Sequence, residues 1–496
     1  MPEVLKTEKA RAGARERLIH ERRPAKDLRV RPRHREYRCP EINGDAVSYI
    51  LRMPAHRPER ETVLHSWTVQ SHWDAPTVVG GAGAHFHTSD GRSLLDFSSQ
   101  SECCNLGHQH PKVVAAIRAQ AERLCYIANA WGAEPRAELA ELLLEKSGFD
   151  GGRVFFTLGG ADANEHAVKF ARQVTARPRG IIITRDRSYH GASYATMALS
   201  GDTRTHAQVD PALLNVIHAL PPYAYRCPFG TTEPQECGRR AAAHLGALIE
   251  HAGAIAVAAV LMEPDAGTNG IIAPDSYWPA LRAITRTHGT LLIADEVMSG
   301  FGRCGEWFAW QRDGEAGRPD MMTLAKGLTG AHLPLGAVVL SVDVARRLAH
   351  EMLYTGLTYC GHPLSCAAGV AAVHAYADED LIARSRRLGA EMFSALVGMH
   401  ARHPVIGEVR GGRGLFAVIE LVVDRNTREP LAPWPTTPPP LAALVRDGLA
   451  AGVSFASRGN LLLLAPPLVI EEHDLADALA LLDKLLAVHF PARPVA

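Results

Sequence analysis

Lysine is the scarce residue in this chain of 496: there are eight, at positions 6, 9, 26, 112, 146, 169, 326 and 484, against 45 arginines. Where arginine supplies nearly all the positive charge, a lysine at the end of a buried strand calls for chemistry that a guanidinium lacks. Cysteine is little used as well. Nine residues, an odd number, with no C-x-x-C pair argue against a disulfide framework or a zinc ribbon and suit a reducing cytoplasm. Net charge is missing, with 53 basic and 53 acidic residues, so nothing global points to nucleic acid, an anionic membrane or a polyanionic partner. No apolar stretch opens MPEVLKTEKARAGARERLIH and no long uncharged apolar run follows, so a soluble intracellular protein is expected rather than a secreted or membrane-spanning one.

What is present is a chain long enough, at 47% hydrophobic residues, for one large domain and a smaller one. From about residue 152 to 342 short apolar runs (RVFFTL, GIIIT, AIAVAAVLME, TLLIADEV, MMTLAKG, GAVVLS) alternate with helical patterns such as ADANEHAVKFARQVTA and SYWPALRAITRTHG. Continuous apolar strands between amphipathic helices are what a mostly parallel sheet covered on both faces requires, so an α/β core is expected with ligands at the strands' carboxyl ends. Residues 77–97 carry strand and turn signals, and residues 375–496 mix helices with short strands such as GLFAVIEL and NLLLLAPP, an α+β portion interrupted by the proline-rich loop at 433–440. Residues 1–38 hold 13 Lys or Arg against six Asp or Glu and are expected to be an arm or extension.

Three features carry chemistry. Lys326 closes MMTLAK at a strand end; an amine whose pKa falls on burial can form a Schiff base, although a plain surface lysine fits the same pattern. Asp295 closes TLLIAD about one βα unit earlier. A carboxylate there needs a cation or several donors; a protonated pyridine nitrogen would serve, and so would the cap of the next turn. FFTLGGADANE ends a strand in two glycines and opens a helix, leaving free N–H groups at the positive helix end as a phosphate cradle, unless the glycines only turn the chain. A phosphate cradle, an aspartate for a ring nitrogen and a lysine for an aldehyde together describe pyridoxal 5'-phosphate.

In order and spacing, GGADANE, SYHG, LLIADEVMSGFGR, LAKGLTG and GLTYCGHP resemble the class III, or ω-, aminotransferases that use pyridoxal 5'-phosphate, over about residues 65–490. SWTVQ, DFSSQ, LGHQHPKVV, GTNGI and DEVMSGFGRCGEWFA look most like the taurine-pyruvate branch. The resemblance implies the transferase fold type I, an α/β large domain with a mostly parallel seven-stranded sheet plus a smaller α+β domain, and a homodimer sharing its active sites. The boundaries implied are an arm at 1–60, the small domain at 61–105 and 375–496, and the cofactor-binding domain at 106–374. Lys326 would carry the cofactor and Asp295 would pair with its ring nitrogen. Val297 would pack on one ring face, Tyr189 on the other with His190 beside it, and Glu263 would complete the ring's surroundings. The N–H groups of Gly160 and Ala161 would bind the phosphate, reached from the other subunit by Thr358. Trp67, Ser101, Glu102 and Arg410 would meet the substrate, and no metal is expected.

The implied reaction moves an amino group between a primary amine or ω-amino compound and an oxo acceptor, either a keto acid such as pyruvate or an aldehyde or ketone, with ping-pong kinetics. Ornithine- and GABA-type relatives carry a glutamate where this chain has Thr268 and a glutamine where it has Met298, which weakens those substrates. The carboxylate-binding arginine falls at Arg410 in GEVRGGRGLF, but one extra residue in the motif makes Arg413 a competitor. Aminomutase, racemase and dialkylglycine-type decarboxylase share the same Lys326 and Asp295 logic. A nucleic-acid role for the arm RVRPRHREYR is disfavoured by its single tyrosine.

The stretch SSQSECCNLG admits a metal site, a disulfide, a catalytic group or a turn. Neighbouring cysteines point apart and no third or fourth ligand is spaced nearby, so Cys103 and Cys104 are read as packing residues. Aligned on the following glycine and histidines, Ser101 and Glu102 fall in the family's substrate pocket, where amine transaminases commonly have tryptophan at the second position. A carboxylate there would favour a donor with a second cationic group, unless Glu102 turns to solvent or pairs with an arginine.

Overall fold

The structure, a computed structural model, describes residues 58–178, 180–207 and 215–491, so the basic arm before residue 58 lies outside the described residues. The chain divides into two compact units, Met1–Ala75 and Pro76–Ala496. Within the first, His65 stacks on Trp73 with ring centroids 3.6 Å apart. Gln70 closes the same loop, donating to the His65 carbonyl at 2.6 Å and accepting from its N–H at 2.8 Å.

The second unit opens with an antiparallel meander of β1 (Val78–Ala82), β2 (His85–Thr88) and β3 (Ser93–Asp96). The central sheet is built from β4 (Arg153–Thr157), β5 (Ile181–Arg185), β6 (Val216–Ala219), β7 (Val257–Met262), β8 (Leu291–Asp295), β9 (Met321–Leu324) and β10 (Gly336–Leu340). Its order is β4-β10-β9-β8-β7-β5-β6, and only β10 runs antiparallel to its neighbours. This is the mostly parallel seven-stranded sheet expected. Every residue of β7, β8, β9 and β10 is buried, which is why these strands read as unbroken apolar runs rather than alternating ones. β6 was not picked out in the sequence because it is a four-residue edge strand with three half-buried positions.

The helices that cover the sheet follow the 3.6-residue period. In the helix Tyr277–Thr287, Tyr277, Trp278, Leu281, Arg282 and Thr285 form the buried face. Trp278 Nε1 donates to the Gly317 carbonyl at 2.8 Å, so the indole's polar atom is satisfied inside the core. Leu281 is fully buried, and its truncation to alanine is expected to cost about 2–5 kcal/mol.

The C-terminal region adds β11 (Ile406–Gly411), β12 (Ala417–Asp424), β13 (Glu429–Pro430), β14 (Val453–Ser454), β15 (Ala456–Arg458) and β16 (Leu461–Leu464). A five-stranded antiparallel sheet runs β11-β12-β16-β15, with β13 on β12, while β14 pairs in parallel with β3. Segments far apart in sequence, 78–96 and 453–454, therefore share one sheet. No helix among the described residues is long and apolar enough to cross a membrane.

Candidate active site

The carboxyl ends of β5, β7, β8 and β9 open on one crevice, as expected for a parallel sheet. There Gly160, Ala161, Tyr189, His190, Glu263, Asp295, Val297 and Lys326, all singled out in the sequence, line a cavity of about 230 Å³. A larger groove of about 500 Å³ between the helices Leu381–Arg402 and Glu472–His489 brings no such chemistry together.

Asp295 ends β8 and is buried. Its Oδ2 accepts from Asn164 Nδ2 at 2.8 Å and His190 Nδ1 at 2.7 Å, and its Oδ1 from the Val297 N–H at 3.1 Å. Asn164 is fixed in turn. Its amide also donates to the His190 carbonyl at 2.9 Å and its oxygen accepts from Thr323 Oγ1 at 2.7 Å, on the neighbouring strand β9. Ser200 Oγ accepts from the His190 N–H at 2.9 Å. No lysine or arginine pairs with Asp295 among the described residues, and the buried Nε2 of His190 has no partner. A buried carboxylate that no lysine or arginine meets among the described residues is suited to a further cation at the cavity.

Glu263 follows β7 and accepts from Arg185 Nη2 at 2.9 Å; both are buried, and burial pushes the Glu263 carboxyl up despite the arginine. The helix Gly160–Val174 starts without a side-chain cap, so its first N–H groups are open to an anion. A Cβ on Gly160 would come within 2.9 Å of Val297 Cγ1, so glycine is what lets the helix start lie against this wall. Burial pushes the Tyr189 phenol up, with Lys326 opposing. These groups fit pyridoxal 5'-phosphate: an anion cradle, a carboxylate for a ring nitrogen, a flat wall and an amine.

Lys326 lies just past β9 in the left-handed region, with φ of 44°. For a residue with a Cβ this conformation costs about 1–2 kcal/mol. Its Nζ donates to Glu102 Oε2 at 2.9 Å. Burial opposes the ammonium, but the charge and hydrogen bond of Glu102 together with Cys103 outweigh it, so the Lys326 pKa stands above its ordinary value. Burial would likewise raise Glu102, and Lys326 together with Arg458 and Arg303 holds it below the usual carboxylate range. The two are a charged pair.

The segment carrying Glu102 is a left-handed turn: Ser99, Gln100, Ser101 and Glu102 have φ of 47°, 47°, 67° and 57°. It is held by the buried Arg303, whose Nη2 donates to Ser99 Oγ at 3.0 Å and Asn105 Oδ1 at 2.7 Å, and by Ser99 Oγ donating to the Ala465 carbonyl at 2.6 Å. The turn sends neighbours in opposite directions. Glu102 is 3% exposed and faces Lys326, whereas Ser101 is exposed. The alternatives of a solvent-facing or arginine-paired Glu102 are thus not what the fold adopts.

One element of the sequence argument needs correction. No third ligand was counted near the cysteines, yet ligand atoms of Asp96, Cys104 and His108 lie within 4.8 Å of one another. Asp96 reaches them because β3 runs directly into the turn. Its Oδ2 bonds His108 Nε2 at 3.0 Å and its Oδ1 accepts from the N–H groups of Ser98 at 3.1 Å and Gln100 at 3.3 Å, so the carboxylate braces the turn.

The remaining candidates lie outside the cavity lining. Arg410 is buried; its Nε donates to the Gly270 carbonyl at 2.7 Å, its Nη1 to Glu420 at 2.8 Å and also to Glu408, and its Nη2 has no partner. Arg413 donates to Asp265 at 3.0 Å and Asp275 at 2.5 Å. Thr358 is exposed, its carbonyl accepting from Tyr126 Oη at 2.9 Å. Trp67 belongs to the first unit and is exposed.

Residues 69–486 match the family model described as aminotransferase class III. Among similar proteins, the diaminobutyrate–2-oxoglutarate transaminase of Halomonas elongata is 34% identical over 85% of this chain and 93% of its own. A leucine/methionine racemase of Thermococcus litoralis is 36% identical over 83% and 91%. The crystal structure of taurine:2-oxoglutarate aminotransferase from Bifidobacterium kashiwanohense, in complex with PLP and glutamate, superposes with a TM-score of 0.82 at 36% identity, covering 91% of this chain and 99% of that one. The chain belongs to the class III aminotransferases and is a pyridoxal 5'-phosphate-dependent enzyme of the α/β transferase fold type I.

Proposed function

We propose that the chain moves an amino group from a primary amine or ω-amino donor to pyruvate or a similar keto acid, or to an aldehyde or ketone, in two alternating half-reactions at the cavity of Lys326 and Asp295. The observation that carries this reading is the placement of a strained, partly exposed lysine at the end of β9 beside a buried, fully fixed aspartate at the end of β8. Pyridoxal 5'-phosphate supplies, when bound, an aldehyde that captures amines and a ring that accepts electrons. Lys326 Nζ carries the cofactor and, once released, accepts the proton that leaves the donor carbon. Asp295 holds the ring nitrogen in its protonated form, and Asn164, His190 and Val297 keep that carboxylate aimed. The first N–H groups of the helix at Gly160 and Ala161 hold the phosphate, while Val297, Tyr189, His190 and Glu263 enclose the ring. Ser101 stays in this reading as a substrate contact.

Arg410 is our choice for the acceptor's carboxylate, supported by its unspent buried Nη2; Arg413 spends its donors on two aspartates and a carbonyl. The cofactor domain is placed at 106–374 and the small domain at 61–105 and 375–496. A homodimer that brings Thr358 to the partner's phosphate is supported by the exposed Trp131, Met352, Tyr354 and Tyr359, of which Tyr354 is 92% exposed. A cytoplasmic setting is supported by the eight described cysteines, all free thiols.

The donor is the open term. Thr268 and Met298 line the cavity where ornithine- and GABA-type relatives have a glutamate and a glutamine, and the Halomonas relative is named for a donor bearing two amino groups. The test is a screen of amine donors against pyruvate and 2-oxoglutarate, following the cofactor absorbance and the new amino acid. Stoichiometric alanine from pyruvate is expected. Interconversion of amino-acid enantiomers without consumption of pyruvate would favour the racemase reading instead.

A further inference from the structure

We propose that Glu102 selects the amine donor by requiring a second positive charge on it, a proposal that rests on the transaminase reading above. The carboxylate is 3% exposed, and the only hydrogen bond to it among the described residues comes from Lys326 Nζ at 2.9 Å. The nearby Arg303 lends charge but no hydrogen bond to it: its Nη1 donates to the carbonyls of Leu415 and Pro466, its Nη2 to Ser99 and Asn105, and its Nε has no partner. Arg458 contributes its charge from β15 without a hydrogen bond to Glu102. Of the two acids that line the cavity, Asp295 is committed to Asn164 and His190, and Glu263 to Arg185. Glu102 is the acid whose partner must change during the reaction.

That change follows from what Lys326 has to do. An ammonium can neither attack a carbonyl nor accept a proton, so Lys326 Nζ must give up its positive charge to work. Once it does, Glu102 keeps the charges of Arg458 and Arg303 but loses its only hydrogen-bonded counter-ion among the described residues, a loss that is costly for a buried carboxylate. A donor carrying a second ammonium removes the penalty by taking the lysine's place at Oε2. A donor with a single amine does not, and Glu102 then holds Lys326 in its unreactive form. Discrimination therefore acts on binding and on turnover together. Because Oε2 is in direct contact with the lysine nitrogen, the second charge must lie close to the reacting amine, as in a short diamine or a diamino acid.

The turn supports the assignment independently. Four consecutive left-handed residues, none of them glycine, are held in place by Arg303 and Asp96, and their outcome is one acidic side chain aimed at the reactive lysine. Strain retained in this way marks a position where orientation matters.

The experiment compares putrescine with butylamine, equal in length but carrying two charges and one. In the full-length Lys326→Ala protein loaded with pyridoxal 5'-phosphate, donor capture at equilibrium is read from the cofactor absorbance without turnover. Putrescine is expected to be captured at least about tenfold more tightly than butylamine, and Glu102→Gln in the same background should erase the difference. Equal capture of the two amines in the presence of Glu102 would overturn the proposal, whatever the second substitution does to folding. In the lysine-containing enzyme, E102Q should raise the putrescine KM about tenfold and make butylamine turnover faster. Glu102→Asp, which keeps the charge, should retain the preference. Equal losses on both donors would also overturn it. If the wild-type enzyme forms no Schiff-base absorbance with the cofactor, the transaminase reading fails first, and the two failures are thereby told apart.

Discussion

Asp295 and Glu102, the acids on which the Lys326 site depends, are held on different physical terms. On the sheet side, Asp295 is held by an amide, an imidazole and a backbone N–H, and Asn164 is held by Thr323 and the His190 carbonyl. Every partner is fixed to a strand, a helix or a braced loop. Glu102, by contrast, is held by a charge that must move, on a strained turn. Close-packed hydrogen-bond networks resist rearrangement, whereas an ion pair can exchange one counter-ion for another. The comparison teaches that the constant chemistry and the variable substrate are served by separate kinds of bonding.

Substitutions that strike the constant side should produce the largest effects. Lys326→Ala removes both the covalent anchor and the proton acceptor, and turnover is expected to fall at least about a thousandfold with loss of the internal Schiff-base absorbance. Multiple turnover near the wild-type rate would refute the assignment. Asp295→Asn keeps the shape but removes the charge that holds a protonated ring nitrogen, and kcat should fall about a hundredfold to a thousandfold while the cofactor still binds. The check is a spectrum showing bound cofactor beside a collapsed rate. A variant that simply releases the cofactor would point to anchoring rather than electronic control.

The same contrast explains what could be read from the chain alone. Strands β7 to β10 were legible because they are buried on both faces, and Lys326 and Asp295 because each ends such a run in a sequence with few lysines. Asn164 and Thr323 were not, although both sit inside quoted motifs. Asn164 meets its partner 131 positions away, and no local pattern marks an asparagine as a donor to an aspartate on another strand. Arg458 escaped for the same reason; it reaches the charge balance of Lys326 and Glu102 only through the C-terminal sheet. The inward aim of Glu102 depends on positive backbone φ at four non-glycine residues, which propensity does not anticipate.

The arginines offer a sharper version of the comparison. If Arg410 receives the acceptor's carboxylate, it must release Glu408 or Glu420 or use its unspent Nη2. Glu420 has a second cation in Arg226 at 2.6 Å, so it tolerates the exchange. Arg410→Ala should therefore raise the KM for pyruvate or 2-oxoglutarate by about tenfold to a hundredfold, with the amine half-reaction nearly unchanged. Stopped-flow measurement of the two half-reactions separately reads this directly. Equal losses in both would mean that Arg410 holds the fold and not the substrate.

Arg413 should give the smallest effect, because its loss strands no charge. Asp265 keeps Arg312, whose guanidinium donates to it at 2.6 and 3.2 Å, and Asp275 is largely exposed and returns to water. An ion pair with one exposed partner is worth about 1 kcal/mol or less and is weakened by salt. Arg413→Ala is thus expected to lower the melting temperature by about 1 °C or less at low ionic strength, with the gap narrowing as salt is added and the keto-acid KM unmoved. If instead keto-acid affinity falls in Arg413→Ala and survives in Arg410→Ala, the extra residue in GEVRGGRGLF has shifted the carboxylate site by one turn of the motif. The exchangeable ion pair of the acceptor would then be the one at Asp265 and Asp275.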